Sequence, residues 1–473
     1  MGCVNRVVVI GGGPGGYESA LVAAQLGAEV TVVDTDGIGG SAVLTDCVPS
    51  KTLIATAELM ADMEEAGELG ITLDGEPVAA PTDSHGSGLG VDLVRVNARV
   101  KRLALAQSGD IERRLTRDGV RVVRGRGRLD GPQRVVVSLA DGGEEAYDAD
   151  AVLVATGART RTLDTARPDG DRILTWEQVY DLDEVPEHLV VVGSGVTGAE
   201  FASAYNALGV EVTLVSSRDR VLPGEDADAA EVLEEVFKRR GMTVLSKSRM
   251  ESVTRDGDGV LVRLTDGRTV SGSHCLLALG SLPNTGDMGL EESGVTLGDG
   301  GFVPVDRVSR TSARGVYSAG DCTGVLMLAS VAAMQGRIAM WHFLGDAVLP
   351  LDLKSVSSNV FTAPEIATVG WSQNAVNAGD IAAEVVMLPL SGNARAKMQG
   401  VRDGFVKLFA LPGTGIVVGG VVVGPRASEL IHPVAIAVAQ SLTADQLAQA
   451  FTVYPSMSGS VAEAARRLHR VRA

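Results

Sequence analysis

Apolar runs and glycine-rich turns alternate at the start of the chain. Val7–Ile10 is a continuous apolar run, which is typical of a strand buried on both faces. Residues 11–16 read GGGPGG, and residues 18–26 then show helical spacing with many small side chains. A second apolar run, Val30–Val33, ends in Asp34. The pattern therefore predicts a strand, a glycine turn, a helix and a second parallel strand.

The glycine turn has the spacing GxGxxG, and an acid lies 18 residues after its last glycine. Glycines at these positions permit a tight turn, the close approach of a pyrophosphate and close packing of helix on strand. The helix N-terminus offers free N–H groups, and Asp34 can accept a hydrogen bond from a ribose hydroxyl. The turn therefore predicts a dinucleotide site formed by Gly11, Gly13, Pro14, Gly16 and Asp34.

The same unit occurs a second time in the chain. It comprises the strand 189–192, a turn with Gly193, Gly195 and Gly198, a helix from Ala199 and the strand 212–215. Each glycine turn is also followed by a hairpin and a closing strand, with hairpin turns at 141–142 and 266–267 and closing strands at 151–154 and 275–279. Two such units predict two bound dinucleotides. The simplest chemistry for that pair is hydride transfer between a nicotinamide and a flavin.

The last third of the chain begins with a predicted strand and helix and continues with a domain that has no glycine motif. Residues 315–321 read as a short strand ending in Gly-Asp, followed by a helical stretch over 328–342. Asp321 can bind a ribityl or ribose hydroxyl or can simply cap a helix, and the next helix N-terminus can face a flavin carbonyl. Beyond residue 350 we expect an α+β domain without a glycine motif, either a substrate lid or a dimer interface. Its predicted strands are 361–370, 384–389, 405–411 and 415–423, with helices from Ala427 and Thr443.

The net charge, the cysteine content and the length of the apolar runs exclude several classes of partner and site. The 473 residues include 42 basic and 59 acidic side chains, a formal net charge of −17, which argues against nucleic acid or an anionic membrane as the main partner. Four scattered cysteines without a CxxC pair argue against a disulfide scaffold and a zinc site. With no leader pattern and no apolar run long enough to span a bilayer, we expect a cytoplasmic protein without membrane insertion.

With the segment Gly39–Lys51, these motifs resemble the pyridine nucleotide–disulfide oxidoreductases of dihydrolipoamide dehydrogenase type, over nearly the whole chain. The resemblance implies an α/β fold with two Rossmann-like dinucleotide-binding domains and a C-terminal α+β dimerisation domain. The implied bounds are 1–160 with 281–350 for FAD, 161–280 for NAD(P) and 351–473 for dimerisation. It also implies FAD, NADPH or NADH as hydride donor, and a homodimer formed through the last domain.

The expected cofactor contacts combine the two glycine turns with residues matched by the resemblance. They are Gly11, Gly13, Pro14, Gly16, Asp34, Gly40, Ser41, Lys51, Gly127, Ala155, Thr156, Gly157, Asp321, Leu328, Ala329, Gly193, Gly195, Gly198, Ser216, Arg218, Arg220 and Gly280. Ser216 stands where NAD-specific units carry an acid, so a 2′-phosphate is not repelled there. Arg218 and Arg220 can pair with that phosphate or can be solvated surface charges. We expect NADPH to serve well and NADH also.

The departures from the family pattern concern the disulfide chemistry. Where the family has two redox cysteines, this chain has Ala42 and Cys47, so only the flavin-proximal sulfur is kept. Where the family has a His-Pro followed by a Glu, this chain has Tyr454 and Gly459. Without a dithiol and without the acid–base pair, thiol–disulfide exchange has no relay and no tuned base. We therefore exclude a disulfide reductase.

The residues that the family uses for flavin reduction are present. Lys51 lies one helical turn after Cys47, and the resemblance implies that Lys51 and Glu200 pair beside flavin N5. We expect a catalytic set of Lys51, Glu200, Cys47 and Tyr454. The alternatives are that Lys51 and Glu200 are ordinary surface charges, that Cys47 is a packed small residue and that Tyr454 merely fills the volume of the lost histidine.

Ala42 with Cys47, and Tyr454 with Gly459, form a combination similar to that of the actinobacterial NAD(P)H quinone reductases of this family. It implies an FAD-dependent NAD(P)H:quinone oxidoreductase with ping-pong transfer, first of hydride to FAD and then of two electrons to a quinone. The alternatives are a soluble transhydrogenase or diaphorase, a peroxide reductase cycling Cys47 through sulfenic acid, and a non-catalytic FAD-binding redox sensor. The presence of Lys51 and Glu200 favours an enzyme.

Overall fold

The computed structural model describes residues 4–73, 76–77 and 90–469, and Cys3 lies outside these ranges. The chain forms two compact units. The first comprises Met1–Thr52, Arg95–Arg161 and Leu279–Asp352, and the second comprises Leu53–Val94, Thr162–Ala278 and Leu353–Ala473. Along the described chain the helices are α1 (Pro14–Gln25), α2 (Gly40–Leu44), α3 (Cys47–Glu65), α4 (Leu93–Arg117), α5 (Val196–Ala207), α6 (Ala227–Arg239), α7 (Ala329–Leu344), α8 (Gln373–Ala378), α9 (Ala394–Met398), α10 (Ala427–Leu430), α11 (His432–Ala439), α12 (Ala444–Gln449) and α13 (Gly459–Arg467).

Most of the strands belong to parallel or antiparallel sheets within one unit. In chain order they are β1 (Arg6–Ile10), β2 (Glu29–Asp34), β3 (Thr72–Leu73), β4 (Glu76–Pro77), β5 (Arg121–Leu129), β6 (Arg134–Leu139), β7 (Glu144–Asp148), β8 (Ala151–Val154), β9 (Ala158–Thr160), β10 (Ile173–Thr175), β11 (His188–Val192), β12 (Glu211–Val215), β13 (Thr243–Leu245), β14 (Met250–Asp256), β15 (Gly259–Leu264), β16 (Thr269–Gly272), β17 (His274–Leu277), β18 (Ser281–Pro283), β19 (Val316–Ser318), β20 (Ser357–Val360), β21 (Glu365–Gly370), β22 (Glu384–Pro389), β23 (Phe405–Ala410) and β24 (Val417–Gly424).

A seven-stranded sheet in the order β19-β8-β1-β2-β5-β6-β7 forms the centre of the first unit. Its first five strands are parallel, and β5, β6 and β7 continue it as an antiparallel hairpin. The apolar run of β1 is buried throughout from Val7 to Ile10, as a central parallel strand requires. Helices α1 and α7 approach closely, because a Cβ on Gly336 would lie 2.1 Å from the Gly15 carbonyl oxygen.

The second unit contains a parallel and an antiparallel five-stranded sheet. The parallel sheet has the order β10-β17-β11-β12-β13, and the hairpin sheet β14-β15-β16 accompanies it. The antiparallel sheet has the order β20-β21-β24-β23-β22. Helices α11 and α13 and the inner face of this sheet share one apolar cluster that includes Val422, Val434 and Ala465. The predicted α/β class with two glycine-turn sheets and a C-terminal α+β part is thereby confirmed.

Element bounds from the sequence are correct in most places and wrong in a few. The predicted strand over 361–370 begins only at Glu365, as β21, because Pro364 directly precedes it and proline cannot donate to a ladder. Strand β20, over 357–360, lies outside the predicted range. Helix α1 begins at Pro14, four residues before its predicted start, because proline is well accommodated in a first helical turn. Helix α5 likewise begins at Val196 rather than Ala199, and β17 covers His274–Leu277 rather than 275–279.

A buried lysine lies on the outer face of the antiparallel sheet. Lys407 of β23 exposes 2% of its side chain, and its Nζ lies 2.9 and 2.8 Å from the two carboxylate oxygens of Asp226 and 2.5 Å from Asp228 Oδ2. Asp226 also caps α6 by accepting hydrogen bonds from the Asp228 and Ala229 N–H groups. A buried ammonium is tolerated only when it is paired in this way, so the contact links β23 to the start of α6.

Replacing Lys407 by methionine is expected to reduce the free energy of unfolding by about 3–5 kcal/mol, because the Asp226 carboxylate would then be buried without its cation. Denaturant unfolding at fixed protein concentration measures the change. Lys397→Met is the matched control, since Lys397 is exposed and should lose less than about 0.5 kcal/mol. Equal losses in the two variants would show that the buried pairing contributes nothing of its own.

Candidate functional site

The first glycine turn connects the end of β1 to the start of α1. Gly11 has φ +105°, and a Cβ there would lie 2.2 Å from the Ala155 carbonyl oxygen. A Cβ on Gly16 would lie 1.8 Å from the Gly11 carbonyl oxygen. Any side chain at either position would therefore push α1 away from the sheet, so both glycines are required by the packing.

The second glycine turn, between β11 and α5, repeats this geometry. Gly193 has φ +115°, and its Cβ would lie 2.2 Å from the Ala278 carbonyl oxygen. A Cβ on Gly198 would lie 1.8 Å from the Gly193 carbonyl oxygen. The duplication predicted from the sequence is thus present at the level of individual backbone contacts.

The middle glycine of each turn, unlike the other two, has open space beside it. A Cβ on Gly195 would meet nothing within 4 Å, and one on Gly13 would meet only the Gly40 Cα, at 4.0 Å. Both residues are helix N-caps without a side-chain cap, so the first N–H groups of α1 and α5 are left for a ligand. Open space beside an uncapped helix N-terminus is what a pyrophosphate needs, and both turns therefore fit a dinucleotide.

Asp34 lies at the carboxyl end of β2, where the sequence placed a ribose-binding acid. It is 8% exposed, and it accepts hydrogen bonds from the N–H groups of Gly12 at 2.7 Å, Asp36 at 2.9 Å and Gly37 at 2.6 Å. Burial raises the pKa of Asp34, although these three N–H groups act in the opposite direction. The carboxylate is thus held rigidly against the glycine turn.

The segment with the single redox cysteine lies directly against the first glycine turn. The Gly39 N–H donates to the Gly12 carbonyl oxygen at 2.8 Å, and a Cβ on Gly40 would lie 2.8 Å from the Gly13 Cα. Ser41 is exposed on α2. Cys47 is the first residue of α3, and Lys51 follows one turn later, both half-buried. The structure therefore confirms the predicted helical spacing of Cys47 and Lys51.

Asp46 is a candidate functional residue that the sequence reasoning missed. It directly precedes Cys47, and burial raises its pKa while the positive charge of Lys51 lowers it. Burial, with the neighbouring charge of Asp46, raises the pKa of Asp321 to about 6. Asp46, Lys51 and Asp321 thus form one electrostatic cluster. Only the position of Asp46 beside Cys47 hinted at this in the sequence.

The other residues predicted in the first unit lie at strand ends, helix starts or in the core. The Thr156 hydroxyl donates to the Asn284 carbonyl oxygen at 2.7 Å, and the Asn284 N–H donates to the Gly157 carbonyl oxygen at 3.0 Å. Leu328 is the N-cap of α7 without a side-chain cap, and Ala329 is its first residue. The Gly280 carbonyl oxygen accepts from the Arg161 N–H at 3.0 Å. The absence of a side chain at Gly127 leaves room for Ile10 and Val33, since its Cβ would lie 3.1 and 3.3 Å from their methyl carbons.

Glu200 is buried on α5, in the second turn after the glycine motif. It is 3% exposed, and its Oε1 accepts a hydrogen bond from the Phe361 N–H at 2.9 Å. The Ser203 hydroxyl, one turn further along the helix, accepts from the Ala363 N–H at 3.1 Å. The segment between β20 and β21 therefore holds the Glu200 carboxylate in place, and Glu200 is not a surface charge.

The predicted nucleotide-selecting residues follow β12. Ser216 is fully buried, its hydroxyl lies 2.6 Å from the Ser194 hydroxyl, and it accepts from the Arg218 N–H at 3.1 Å. The Arg218 side chain is exposed. Arg220 is half-buried, and its guanidinium donates to the carbonyl oxygens of Pro223 and Glu225 at 3.4 and 3.5 Å. Ser216 thus shapes the loop that presents the two arginines.

The positions that depart from the family pattern show no disulfide and no acid–base pair. Ala42 lies on α2, and the free cysteines of the described chain are Cys47 and the buried Cys275 and Cys322. Tyr454 is 86% exposed in the single chain. A Cβ on Gly459 would meet only the hydroxyls of Ser456 and Thr452, at 3.7 and 3.9 Å, so a Cβ at this position would cause no clash.

Within the described ranges, no helix has the length and apolar character that a membrane span requires.

Comparison with known families and proteins agrees with this geometry. Residues 5–336 match the pyridine nucleotide-disulphide oxidoreductase family, and residues 356–465 match the dimerisation domain of that family. A Mycobacterium tuberculosis protein named NAD(P)H dehydrogenase (quinone) is 56% identical over 98% of this chain and 94% of its own length. A dihydrolipoyl dehydrogenase of Zymomonas mobilis is 32% identical over 97% of this chain and 96% of its own length.

Solved structures give the same result. The crystal structure of LpdA from Mycobacterium tuberculosis superposes with a TM-score of 0.93 and 55% sequence identity, covering 99% of this chain and 100% of that one. The flavoprotein disulfide reductase RclA of Escherichia coli, at 22% identity and a TM-score of 0.84, shares the fold and covers 98% of this chain and 99% of its own. The chain therefore belongs to the pyridine nucleotide-disulphide oxidoreductase family.

Proposed function

We propose that this protein is an FAD-dependent NAD(P)H:quinone oxidoreductase that works in the cytoplasm as a homodimer. The relative from Mycobacterium tuberculosis that is named for this activity is 56% identical over nearly the whole of both chains. The match to a family dimerisation domain over residues 356–465 supports the homodimer. The proposed enzyme binds two nucleotides, FAD and NAD(P)H, and one small-molecule acceptor, the quinone. Its reaction requires neither a nucleic acid nor insertion into a membrane.

The observation that carries the proposal is the coexistence of two intact nucleotide turns with an incomplete disulfide site. Both GxGxxG turns keep the open middle glycine and the uncapped helix. Ala42 provides no second sulfur beside Cys47, and Gly459 provides no carboxylate. Electrons that enter such a site have no disulfide to reduce, and a flat electrophile such as a quinone is the acceptor best suited to take them from a flavin.

The domain roles follow from the two turns. We assign FAD to 1–160 with 281–350, NAD(P) to 161–280 and dimerisation to 351–473. When bound, FAD supplies a two-electron carrier between NAD(P)H and the quinone. Gly13 and the start of α1 would hold its pyrophosphate, Asp34 a ribose hydroxyl and Asp321 a ribityl hydroxyl. The uncapped start of α7 at Leu328 and Ala329 would offer N–H groups to a flavin carbonyl.

The side chains of the proposed catalytic set would orient the reacting groups and supply charge beside them. Lys51 lies in the first turns of α3, and its positive charge lowers the pKa of the neighbouring Asp46. Glu200 is oriented by the Phe361 N–H, which fixes one carboxylate oxygen. Cys47 would place a single polarisable sulfur beside the flavin. Tyr454 would contribute to an acceptor pocket. Preorganised charges of this kind stabilise a transition state because they need no reorganisation during the reaction.

Acceptor choice is the first test of the proposed function. With NADPH as donor under anaerobic conditions, we expect fast turnover with menadione and none with lipoamide, because no dithiol–base relay exists. The rate of NADPH oxidation, followed in parallel with the two acceptors, measures this. Lipoamide turnover would mean that a sulfur or base elsewhere in the chain has been recruited, and the proposal would fail.

Lys51→Met should slow flavin reduction by NADPH roughly 100-fold, because the positive charge that we assign to the reacting ring is removed. Anaerobic stopped-flow measurement of flavin absorbance separates this step from reoxidation by quinone. Lys397→Met, an exposed lysine on α9, is the matched control and should reduce at the wild-type rate. Unchanged reduction in the Lys51 variant would remove that residue from the catalytic set.

The double variant Arg218→Ala/Arg220→Ala should raise the KM for NADPH about 10- to 100-fold and leave the KM for NADH within about 3-fold, because only NADPH carries the 2′-phosphate. Steady-state kinetics with both donors and saturating menadione measure the two values. Arg263→Ala, at an exposed arginine of the same unit, is the control. A parallel rise for both donors would indicate damage to the loop, and the phosphate assignment would then be wrong.

A further inference from the structure

Helix α4 carries a charge opposite in sign to the rest of the chain. Its 25 residues include seven basic and two acidic side chains, a surplus of five positive charges, whereas the whole chain has a net charge of −17. A net charge averaged over the chain hides such a local reversal. The overall negative charge of the chain therefore does not exclude an anionic partner at this helix.

The basic residues are concentrated on one side of α4. The opposite, buried side follows a helical repeat and comprises Leu93, Asn97, Val100, Ala104, Ser108, Ile111 and Leu115. Arginines spaced three, four and eleven residues apart project from the outward side and are all exposed; they are Arg95, Arg99, Arg102, Arg113 and Arg117. At about 1.5 Å per residue, this stripe extends over about 33 Å.

Part of the stripe has its charge balanced and part does not. Arg113 pairs with Asp110, and Arg117 pairs with Asp118, both at the surface. Within the described ranges, Arg99 and Arg102 form no ion pair with any carboxylate. The middle of the stripe therefore presents positive charge that the described chain leaves uncompensated.

Exposed leucines flank these two arginines. Leu105 is 67% exposed, one turn after Arg102, and Leu103 is 37% exposed, one turn after Arg99. The continuous apolar face of α4 is buried in the protein, so its outward face would make a peripheral contact, with the arginines at anionic headgroups and the leucines at the boundary with the acyl chains. Phosphates of a nucleic acid would attract the arginines but give the leucines nothing to contact, so the leucines favour lipid.

The negative charge of the remaining chain does not prevent such contact. At physiological ionic strength the Debye length is about 8 Å, whereas α4 alone is about 37 Å long and about 10 Å thick. Charges on the far side of the molecule are therefore screened at a surface that touches the helix. Clusters of four to eight Lys and Arg residues are the usual size for recognition of anionic lipid.

We propose that the outward face of α4, centred on Arg99, Arg102, Leu103 and Leu105, docks on an anionic lipid bilayer without inserting a span. Docking there would place the enzyme where a lipid-dissolved quinone is found, a consequence that rests on the proposed function. The docking itself depends only on the charge and exposure of the helix. It can therefore be tested separately from the activity.

Co-sedimentation of the holoenzyme with lipid vesicles tests the proposal. The vesicles contain phosphatidylcholine alone or an equal mixture with phosphatidylglycerol, each at low and at physiological salt. The variant Arg99→Glu/Arg102→Glu is compared with Arg263→Glu/Arg314→Glu, which makes the same change in net charge at exposed arginines elsewhere. Menadione turnover in lipid-free buffer, unchanged in both variants, shows that each is correctly folded.

The expected result is binding of the wild type to the mixed vesicles only, weakening with salt. The α4 variant should lose at least about tenfold in binding, and the control variant should retain it. Four outcomes would overturn the proposal: no binding by the wild type, equal loss in both variants, equal binding to neutral vesicles, or tighter binding to duplex DNA that is lost in the α4 variant. Docking without quinone turnover would leave the proposal intact and refute the proposed function instead.

Discussion

The contact on which the two nucleotide sites depend is the approach of a helix backbone to a strand backbone inside each glycine turn. In both turns a Cβ on the third glycine would lie 1.8 Å from the carbonyl oxygen of the first. Only a missing side chain lets α1 and α5 lie so near to β1 and β11. The uncapped helix ends then point at the open middle glycine, and the segment around Gly39 and Gly40 packs on the first turn. Nucleotide binding and the position of Cys47 thus share one steric origin.

Electrostatics around the start of α3 impose a second constraint. Asp46 and Asp321 are both half-buried acids, and partial burial raises the pKa of each, with the Asp46 charge adding to the effect at Asp321. Lys51 offsets part of this cost at Asp46. Two half-buried acids beside one lysine reduce the stability of the fold, a cost that is common at functional sites. The same tension is absent from the buried Lys407, which has Asp226 and Asp228 as full partners.

The incomplete disulfide site differs from the family pattern in its reactive groups. Gly459 starts α13, where a Cβ would cause no clash, and Ala42 lies on α2. The scaffold that would support thiol chemistry is therefore kept while its reactive groups are missing. This separation of fold from chemistry is the reason that a shared fold with RclA says nothing about the acceptor of this chain.

The sequence by itself determined the two glycine turns, the α/β class, strands such as Glu384–Pro389 and Ala151–Val154, and the loss of the second sulfur, because each is a local pattern of residue types. It placed Cys47 and Lys51 one helical turn apart for the same reason. The tertiary structure decided the contacts of Lys407 with Asp226 and of Glu200 with the Phe361 N–H, and the electrostatic effect of Asp46 on Asp321. These groups are separated by 160 residues or more in each case, and no local pattern distinguishes a paired buried charge from a solvated one. For the basic stripe of α4, the sequence and the tertiary structure each determine a part. The sequence contains the basic residues, but only the packing determines which side of the helix faces the core.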